Sequence, residues 1–521
     1  MLTRRSLLQV AALAALPQTT RAFAQGAGEP QRLNYETLTG IARDMATKSY
    51  VAVQGPDAKS LDPIDYDQHS AVREPVAKAL FKGTAFPITF IPLGRLFPKP
   101  VQMFSLVDGV ATEIRYDASL FDVPKDNPFG KLPPDAGFAG FRVHDGDGKQ
   151  EPQPEADWTS FLGASYFRAS GDERQYGVSA RGIAIDTANP RPNSIEAFPA
   201  FTRFYLSPER QGIVEVLALL DGPEVVGAYR FRIRRRPNVV FDVECQLFFR
   251  KEVARLGIAP ATSMYYYSET LRYSALDWRP EIHDSDGLAI LTGSGEELWR
   301  PLNNPDKVIV SHFGDENPKG FGLLQRDRNY DHYHDDVRQE RRPNLWVTPL
   351  GSWGKGSVQL VEIPTDSEYN DNIVAFWVPE TPVKPGDQRG FAYRLAFSAG
   401  EPRPGRLARC TATRLTRGLP TPKEAQRPNV PPLERQFMVE FDGDVLEGLK
   451  LDEVKIDLQT SRGVLEEIRY WPEGNGAPRP WRVFFKLFAD GDPPVELRMV
   501  LRKDGQPVSE TWLYQFHPTP A

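Results

Sequence analysis

Apolar and polar residues alternate along many short stretches of the chain, and a period of two is typical of half-buried β-strands. In residues 241–247, for example, Phe241, Val243, Cys245 and Leu247 alternate with polar side chains. The pattern predicts strands at 229–233, 241–247, 358–363, 373–378, 391–397, 437–441, 464–470, 483–488, 495–501 and 511–516. Turn-forming residues separate many of these runs, as expected for an all-β fold with tight connections.

A shift in composition divides the predicted strands into two groups. The sequence Gly-Glu-Pro-Arg-Pro-Gly at 400–405 and the proline-rich stretch 419–432 surround one further predicted strand at 411–416. Proline removes a backbone donor, so both stretches are unsuited to central strands. Several short strands in about 110 residues are typical of an immunoglobulin-like sandwich. We therefore predict a large β-sandwich at 25–398, a linker at 399–410 and a small immunoglobulin-like β-sandwich at 411–521.

Helical spacing is confined to two short stretches before the first strands. Residues 35–49 and 74–81 combine apolar and polar positions with a mixed helical period. We predict a short helix in each. These helices are too few to change the all-β assignment.

The first residues have the organisation of an export signal. Arg4 and Arg5 precede an apolar run at 7–16, and Ala-Phe-Ala at 22–24 fits a cleavage site. The apolar run is shorter than the roughly 20 residues that a membrane-spanning helix needs. The arginine pair favours the twin-arginine route over an ordinary secretory signal. We predict a signal peptide at 1–24, a periplasmic location and no stable insertion into the membrane.

Composition narrows the range of functions. The net charge of −6 at pH 7 would repel phosphates, so a nucleic acid partner is not expected. Aromatic residues make up 11% of the chain, which suits both sheet cores and sugar-binding faces. Cys245 and Cys410 are too few for a disulfide scaffold or a cysteine zinc site. We predict that both are buried thiols.

The densest mixture of charged and aromatic residues lies between positions 263 and 355. This region contains four tryptophans and several cations, namely Trp278, Trp299, Trp346, Trp353, Arg279, Arg300, Arg342 and Lys355. Functional residues concentrate on loops that a rigid sheet carries. A cleft lined in this way suits the hydroxyl groups and ring faces of sugars.

Metal, nucleophile and phosphate sites are poorly supported by spacing. Two groups contain metal-ligating side chains, namely His283, Asp284 and Asp286, and Asp331, His332, His334 and Asp335. Neither group matches a known ligand spacing, so no metal or other cofactor is expected. Ser294 lacks a nucleophile elbow. Residues 354–357 lack the preceding part of a phosphate-binding loop.

Paired carboxylates are the remaining candidates. Hydrolysis of a glycosidic bond needs one carboxylic acid and one carboxylate on either side of the sugar. The acidic residues in suitable stretches are Asp284, Asp286, Asp315, Glu316, Glu368 and Asp371. Spacing alone does not choose among them, and a turn residue or a surface charge is the more ordinary role for each.

Several of these stretches resemble the periplasmic glucan biosynthesis family, which comprises the G and D proteins of osmoregulated periplasmic glucan synthesis. The resemblance is carried by LGASYFR at 162–168, SARGIAIDTA at 179–188, LGIAPATSM at 256–264, RPEIHDSDGL at 279–288 and WGKGSVQLVEIPTDSEYNDNIVAFW at 353–377. ELWRPLNNP, ENPKGFGLLQRDR and SETWLYQ extend it to the last predicted strand. It covers nearly all of the chain after the leader, and the arginine pair makes the D type the nearer likeness.

The resemblance implies a fold, a substrate and two catalytic residues. The fold is a large N-terminal β-sandwich of the galactose mutarotase type followed by a small immunoglobulin-like domain, in agreement with the strand pattern. The substrate is β-1,2-glucan, linear or with β-1,6 branches. By motif, Asp371 in Asn-Asp-Asn matches the general acid of an inverting endo-β-1,2-glucanase, and Asp284 in His-Asp-Ser matches the general base. Tyr369 stands where family sequences often have Thr.

Further residues are expected around that pair. Asp371 must keep its proton near neutral pH, so partial burial or a neighbouring charge such as Glu368 is expected to raise its pKa. The residues expected to contact the substrate are Glu368, Arg300, Trp299, Trp346, Trp353 and Tyr267. For the tryptophans, packing in the sandwich core is at least as good an interpretation.

Two main functions stay open at this point. The first is a β-1,2-glucan hydrolase that trims or remodels periplasmic glucan. The second is a non-catalytic glucan-binding or assembly protein that controls the structure or branching of the backbone. A transferase that uses the same acid is a smaller third alternative. Besides glucan, the partners considered are a second copy of the chain in a homodimer and the glucan synthesis machinery.

Overall fold

A computed structural model describes residues 30–146, 157–189, 195–235, 238–271, 277–401, 405–416, 434–472 and 480–518. The predicted signal peptide at 1–24 and the proline-rich stretch at 419–432 lie outside these residues, as do residues 402–404 of the predicted linker. The described residues are mostly β-strands with a few short helices. None of the described helices is long and apolar enough to span a membrane.

Helices are short and lie mainly near the start of the described chain. They are α1 (Tyr35–Ala46), α2 (Ala58–Leu61) and α3 (Tyr66–Ala71). The Asn34 side chain caps α1 by accepting a hydrogen bond from the Thr37 amide at 2.8 Å. Turns of 3-10 helix occur at Val76–Lys78, Ala118–Leu120, Pro128–Lys131, Tyr330–His332, Gln339–Arg341, Asp444–Leu446 and Leu451–Glu453.

The helix predicted at 35–49 is confirmed by α1, whereas the helix predicted at 74–81 is wrong. Only the turn Val76–Lys78 is helical there, and Ala79 is already extended. Leu80 then exchanges backbone hydrogen bonds with Ile88, at 2.8 and 3.0 Å. Pairing with a distant segment has thus overridden a weak local preference.

The strands of the first half of the chain are short at the start and longer after residue 200. They are β1 (Gln31–Arg32), β2 (Ile88–Ile91), β3 (Gln102–Val107), β4 (Val110–Ile114), β5 (Gly140–His144), β6 (Asp157–Leu162), β7 (Tyr166–Ala169), β8 (Ser179–Arg181), β9 (Ile183–Ile185), β10 (Ala200–Leu206), β11 (Ile213–Asp221), β12 (Val225–Arg234) and β13 (Val239–Phe249).

The following strands complete the two large sheets. They are β14 (Leu256–Ser263), β15 (Tyr265–Tyr267), β16 (Ile282–His283), β17 (Gly287–Leu291), β18 (Glu297–Pro301), β19 (Ile309–Glu316), β20 (Gly320–Leu324), β21 (Asn344–Pro349), β22 (Lys355–Glu362), β23 (Ile373–Pro379) and β24 (Gln388–Ser398). The last strands are β25 (Arg409–Thr416), β26 (Glu434–Asp442), β27 (Lys455–Thr460), β28 (Val464–Pro472), β29 (Trp481–Phe488), β30 (Val495–Lys503), β31 (Gln506–Pro507) and β32 (Thr511–Phe516).

Two large sheets dominate the architecture. The first has the order β1-β4-β3-β10-β11-β12-β13-β24-β21-β20-β17-β18-β32-β30-β27, with β31 beside β30. The second has the order β19-β22-β23-β14-β8-β7-β6-β5-β2, with β9 beside β14. A pair, β15-β16, and a four-stranded sheet, β25-β26-β29-β28, complete the described strands.

The main hydrophobic core lies between the two large sheets. Phe231 and Phe241 of the first sheet pack against Phe161 and Phe167 of the second, with ring centroids 5.2 to 6.1 Å apart. Strand β13 alternates buried and partly exposed residues over most of its length, as its sequence predicts. Strand β14 is buried at every position, as expected of a central strand covered on both faces.

The last strands form a smaller sandwich with its own core. Phe437 and Phe485 stack there with centroids 4.9 Å apart, and Trp512 packs edge-on against Phe437. Strand β32 also runs parallel to β18, which pairs Trp512 with Trp299, so the smaller sandwich continues the first large sheet. The predicted all-β sandwich architecture is confirmed, and the division at 399–410 stays a prediction.

The alternating runs are confirmed as strands, with only Ile363 lying beyond the end of β22. Other strands, including most of β2 to β11 and β14, carried no clear signal. Both cysteines are free and buried, as predicted. Burial raises the pKa of the Cys245 thiol to about 12, so it is an unreactive part of the core.

A buried ion pair between the two sheets should contribute strongly to stability. Arg300 and Glu362 lie 3.2 Å apart, and their side chains are 3% and 0% exposed. We expect Arg300→Met to lower the free energy of unfolding in urea by about 3–5 kcal/mol, because Glu362 loses its partner.

The exposed pair Arg232–Glu215 provides the control, since its side chains are 46% and 36% exposed. Arg232→Met should change the free energy of unfolding by about 1 kcal/mol or less. Equal effects of the two substitutions would contradict a special contribution of the buried pair.

Candidate active site

The end of strand β14 brings two aspartate segments together. The Ser263 carbonyl accepts a hydrogen bond from the Asn372 amide at 3.1 Å, directly after Asp371. The next carbonyl, that of Met264, accepts one from the Asp284 amide at 2.8 Å. The backbone therefore holds near one strand end the two carboxylates that the family resemblance singled out.

The Asn372 side chain also forms hydrogen bonds near the end of strand β14. Its Oδ1 accepts a hydrogen bond from the Tyr265 amide at 2.8 Å. Its Nδ2 donates to the carbonyls of Tyr265 at 2.9 Å and Ile363 at 3.0 Å. Asn372 is 2% exposed, so these bonds are shielded from water. A buried amide whose groups are all bonded restrains the backbone that carries Asp371.

Asp371 lies just before β23 and remains accessible to solvent. The Thr262 hydroxyl donates a hydrogen bond to its Oδ2 at 3.4 Å. Many protein atoms nevertheless surround the carboxyl group, and this burial raises its pKa above the ordinary aspartate value. The positive charges of Arg181, Arg168 and Arg342 oppose that rise. Burial, one of the two causes predicted from sequence, is therefore the dominant one.

Neighbouring strands of the second sheet carry these groups. Strands β7, β8, β14 and β23 are consecutive in the sheet. Arg168 lies on β7, Arg181 on β8, Thr262 on β14 and Asp371 immediately before β23. The sheet thus presents two cations, a hydroxyl and a carboxyl group from adjacent strands.

Asp284 has a different environment. It is 6% exposed and forms an ion pair with the Arg342 guanidinium. Burial lowers the pKa of Arg342 to about 10, while Glu368 and Asp371 raise it, so the arginine is charged at neutral pH. Gly177 makes room for this side chain, because a Cβ atom there would lie 2.8 Å from the Arg342 Cβ. Arg342 therefore interacts with both carboxylates.

Glu368 is joined to Arg279 rather than standing free. Its two oxygens accept hydrogen bonds from the Arg279 guanidinium, both at 3.0 Å. The same guanidinium lies 3.3 Å from Asp335. Tyr267 is 3% exposed and donates from its hydroxyl to the Arg279 carbonyl at 3.0 Å. Glu368 thus stays at the surface of the site, while Tyr267 supports Arg279 from the interior.

A buried charged network lies behind Asp284. The Nδ1 of His283 contacts Gln325 at 2.9 Å, and its Nε2 contacts Glu281 at 2.8 Å. Burial disfavours a charged ring, but Asp286 and Glu281 outweigh it and raise the pKa of His283 to about 9. Burial raises the pKa of Asp286 to about 6. His283 is therefore a buried cation at neutral pH, held by its carboxylate neighbours.

In each of the two groups considered as metal ligands, one histidine forms hydrogen bonds with other side chains. Both ring nitrogens of His283 have partners in the buried network. Among the described residues, Glu281, Asp327 and His332 place potential ligand atoms within 4.8 Å of one another. Asp327 pairs with His332, and Glu281 with His283. These contacts join the cluster to the buried network around His283.

Five residues expected to contact substrate lie in the interior, and one of them is Tyr267, described above. Trp299, Trp346 and Trp353 are 3%, 6% and 7% exposed and belong to the hydrophobic cores. Arg300 is 2% exposed and paired with Glu362. This placement corrects the expectation that they line a sugar-binding surface and supports the alternative of core packing. The smaller sandwich covers Trp299 and Trp346, whereas Trp353 packs against Trp377 and Tyr393 in the main core. Local sequence does not reveal these partners.

Three arginines near Asp371 were not predicted as parts of the site. Arg168 and Arg181 fall within LGASYFR and SARGIAIDTA, two segments that carry the family resemblance. That resemblance is the signal from which they could have been found. Arg342 stood out only as one of several cations in an aromatic region, which does not distinguish it.

Comparison with known proteins agrees with the motifs. The family model described as periplasmic glucan biosynthesis protein, MdoG, matches residues 33–516. Glucans biosynthesis protein D 2 of Ralstonia nicotianae is 48% identical, covering 99% of this chain and 98% of its own length. A probable glucans biosynthesis protein D of Shewanella oneidensis is 43% identical, covering 95% and 90%. The chain belongs to the periplasmic glucan biosynthesis protein family.

Solved structures add little to this result. A polysaccharide lyase shares 10% sequence identity and covers 74% of this chain and 45% of its own. Its TM-score is 0.19, which is too low to support an argument about fold or function.

The buried cation His283 should make stability depend on pH. Its folded pKa of about 9 lies above the ordinary value of 6.5. The stabilisation is therefore fully present below pH 6.5 and is lost as the pH rises through 9. We expect the free energy of unfolding, measured in urea at several pH values, to fall across this range.

In His283→Gln that fall should be smaller. The control His312→Gln removes an exposed histidine and should leave the fall unchanged. A wild-type stability that does not vary between pH 6.5 and 9 would count against a buried imidazolium.

Proposed function

We propose that this member of the family acts in the periplasm as an inverting endo-β-1,2-glucanase that trims or remodels the glucan backbone. Family membership supports a part in periplasmic glucan biosynthesis. One observation carries the hydrolytic proposal: two carboxyl groups held by one strand end have different surroundings. Asp371 is exposed to solvent and has a raised pKa, while the buried Asp284 is paired with a guanidinium. Different surroundings of two carboxyl groups are what assign acid and base roles to them.

Asp371 suits the general acid. A general acid must be protonated when it meets the glycosidic oxygen and must be reachable by substrate. Its raised pKa and its solvent access support both requirements. The Thr262 hydroxyl, 3.4 Å from Oδ2, helps to orient the carboxyl group. In the proposed reaction Asp371 gives its proton to the leaving oxygen.

Asp284 suits the general base. A general base must accept a proton from water, and the ion pair of Asp284 with Arg342 supports this role. In inverting enzymes the two carboxyl groups are typically about 6.5–9.5 Å apart, which leaves room for that water. Because Asp284 is 6% exposed, the attacking water would reach it along a narrow path or through a chain of waters.

The same burial favours a second candidate function. Asp284 is committed to Arg342, and a base so occupied would be idle unless substrate rearranged the pair. A non-catalytic protein would use the arginines around Asp371 to bind sugar hydroxyls and guide the nascent chain. In this alternative the protein binds the same glucan in the same location but does not cleave it.

The first experiment follows reducing ends released from linear β-1,2-glucan by the purified protein. We expect wild type to release oligosaccharides, and Asp371→Asn and Asp284→Asn each to be slower by about 10²- to 10⁴-fold, the usual contribution of general acid–base catalysis.

Glu316→Gln removes an exposed carboxylate on β19 and should keep wild-type activity. Binding of the glucan without any new reducing ends in wild type would reject the hydrolase and favour the assembly role.

The arginines near Asp371 should lower its pKa, and removing one of them should have a measurable effect on the pH dependence of activity. Among the charges that lower the pKa of Asp371, that of Arg181 has the largest effect. Removing it in Arg181→Met should raise that pKa further, so activity should persist to higher pH on the alkaline side of the kcat/KM profile.

Arg181→Lys keeps the charge and should leave the alkaline limb close to that of wild type. A profile shifted to lower pH in Arg181→Met would contradict Asp371 as the acid of the reaction.

A further inference from the structure

We propose that a second surface, beside the carboxylates, binds further sugar residues of a long glucan chain. It is an open groove lined by Trp278, Tyr330, His334, Asp335, Asp336 and Arg338, and we call it the aromatic groove. The proposal rests on the proposed function, since it assumes a glucan as the ligand. It differs from the sequence expectation, which placed the sugar-binding rings on tryptophans that lie in the core.

The rings of the groove are exposed to an unusual degree. Trp278 is 73% exposed and Tyr330 is 48% exposed. Tyr330 packs edge-on against His334, with centroids 6.0 Å apart. Large exposed aromatics grouped in one concave surface mark binding sites more often than chance surface residues. Such rings offer a flat apolar face and a polar edge, which matches the two sides of a sugar ring.

The polar lining suits a neutral ligand rich in hydroxyl groups. Asp336 supplies acceptors and Arg338 supplies donors, whereas the side chain of Asp335 is 7% exposed and bonded to Arg279 and Gln339. Two carboxylates beside the rings would repel an anionic polymer. A few oriented polar groups around apolar faces are the usual composition of a specific small-ligand or sugar site. The lining therefore favours an uncharged carbohydrate.

Hydrogen bonds and an ion pair connect the groove to the candidate active site. Arg279, adjacent to Trp278, bonds both oxygens of Glu368 at 3.0 Å and lies 3.3 Å from Asp335. Gln339 donates to Asp335 at 2.8 Å. The two lining residues Trp278 and Asp335 are thus tied to the segment that carries Glu368, three residues before Asp371.

Gln339 also links the groove to the other carboxylate. It is fully buried, and its Oε1 accepts a hydrogen bond from the His283 amide at 2.9 Å. His283 directly precedes Asp284. The segment carrying the groove and the segment carrying the proposed base are therefore held by one amide side chain.

The loop that carries the groove is built as a fixed surface. His334 and Arg338 have φ angles of 56° and 58°, a left-handed conformation that is uncommon outside glycine. Tyr333, directly before His334, is fully buried and donates from its hydroxyl to the Asp327 carbonyl at 2.9 Å. Gln175 donates to the Val337 carbonyl at 2.8 Å. A buried anchor next to a left-handed residue presents the neighbouring ring of Tyr330 without a large ordering cost on binding.

A polymer substrate explains why such a surface lies beside the acid. Contacts with sugars remote from the cleaved bond can stabilise the bound substrate and the transition state equally, which lowers KM without changing kcat. A short oligosaccharide would occupy only the carboxylate site, whereas a long chain would also reach Trp278 and Tyr330. The groove should therefore make the protein prefer long chains.

The test compares Trp278→Ala with wild type on long β-1,2-glucan and on short β-1,2-glucooligosaccharides. We expect KM for the long glucan to rise about 3- to 10-fold, with kcat and the KM for short substrates unchanged. Trp278→Phe keeps an aromatic face and should restore most of the affinity. Tyr66→Ala, which removes a 69% exposed ring on α3 outside the groove, should have no effect.

The outcomes separate this proposal from the hydrolase proposal. Equal KM values for Trp278→Ala and wild type on both substrates would overturn the groove and leave the hydrolase intact. If wild type cleaves nothing, the hydrolase fails, and direct titration of long glucan decides the groove: weaker binding by Trp278→Ala supports it, and equal binding overturns it. Unchanged glucan binding together with loss of a protein partner would also overturn it, in favour of a protein-docking surface.

Discussion

The backbone at the end of strand β14 is the constraint on which the rest of the site depends. Every residue of Leu256–Ser263 is buried, so the polar groups just beyond the strand need protein partners instead of water. Those partners are the amides of Asp284 and Asn372 and the Asn372 side chain. Hydrogen bonding of a buried strand end therefore brings two carboxylate segments together before any charge is considered.

Charge then gives the two carboxylates different properties. Arg168, Arg181 and Arg342 all act on Asp371, and Arg342 also pairs with Asp284. The charges of these three arginines lower the pKa of Asp371. The opposite effect of burial is larger, so the pKa of Asp371 is raised. The pKa of Asp371 is thus set by desolvation acting against three positive charges, a balance that is consistent with the acid role proposed for it.

Arg326 connects the smaller sandwich to the loop that carries Asp284. Its amide donates to Asp286, two residues after Asp284. Its guanidinium bonds Glu510 at 3.0 Å and lies over the Trp299 ring, 3.6 Å from the centroid. Glu510 precedes the last strand, so the C-terminal strands brace the loop that carries the proposed base. This explains why Trp299 is buried, since the smaller sandwich covers the strand from which it projects.

Local sequence by itself determined which segments become half-buried strands, such as β13 and β30, because a strand with one polar face must alternate. It also determined the buried thiols, and family motifs singled out Asp371 and Asp284. Tertiary structure decided the rest. Strand β14 has no alternation because both its faces are covered, the core tryptophans are covered by strands distant in the chain, and Arg342 reaches the acids from a separate turn. Periodicity records which face of an element is buried, whereas the partner that buries it is chosen by packing between residues far apart in sequence.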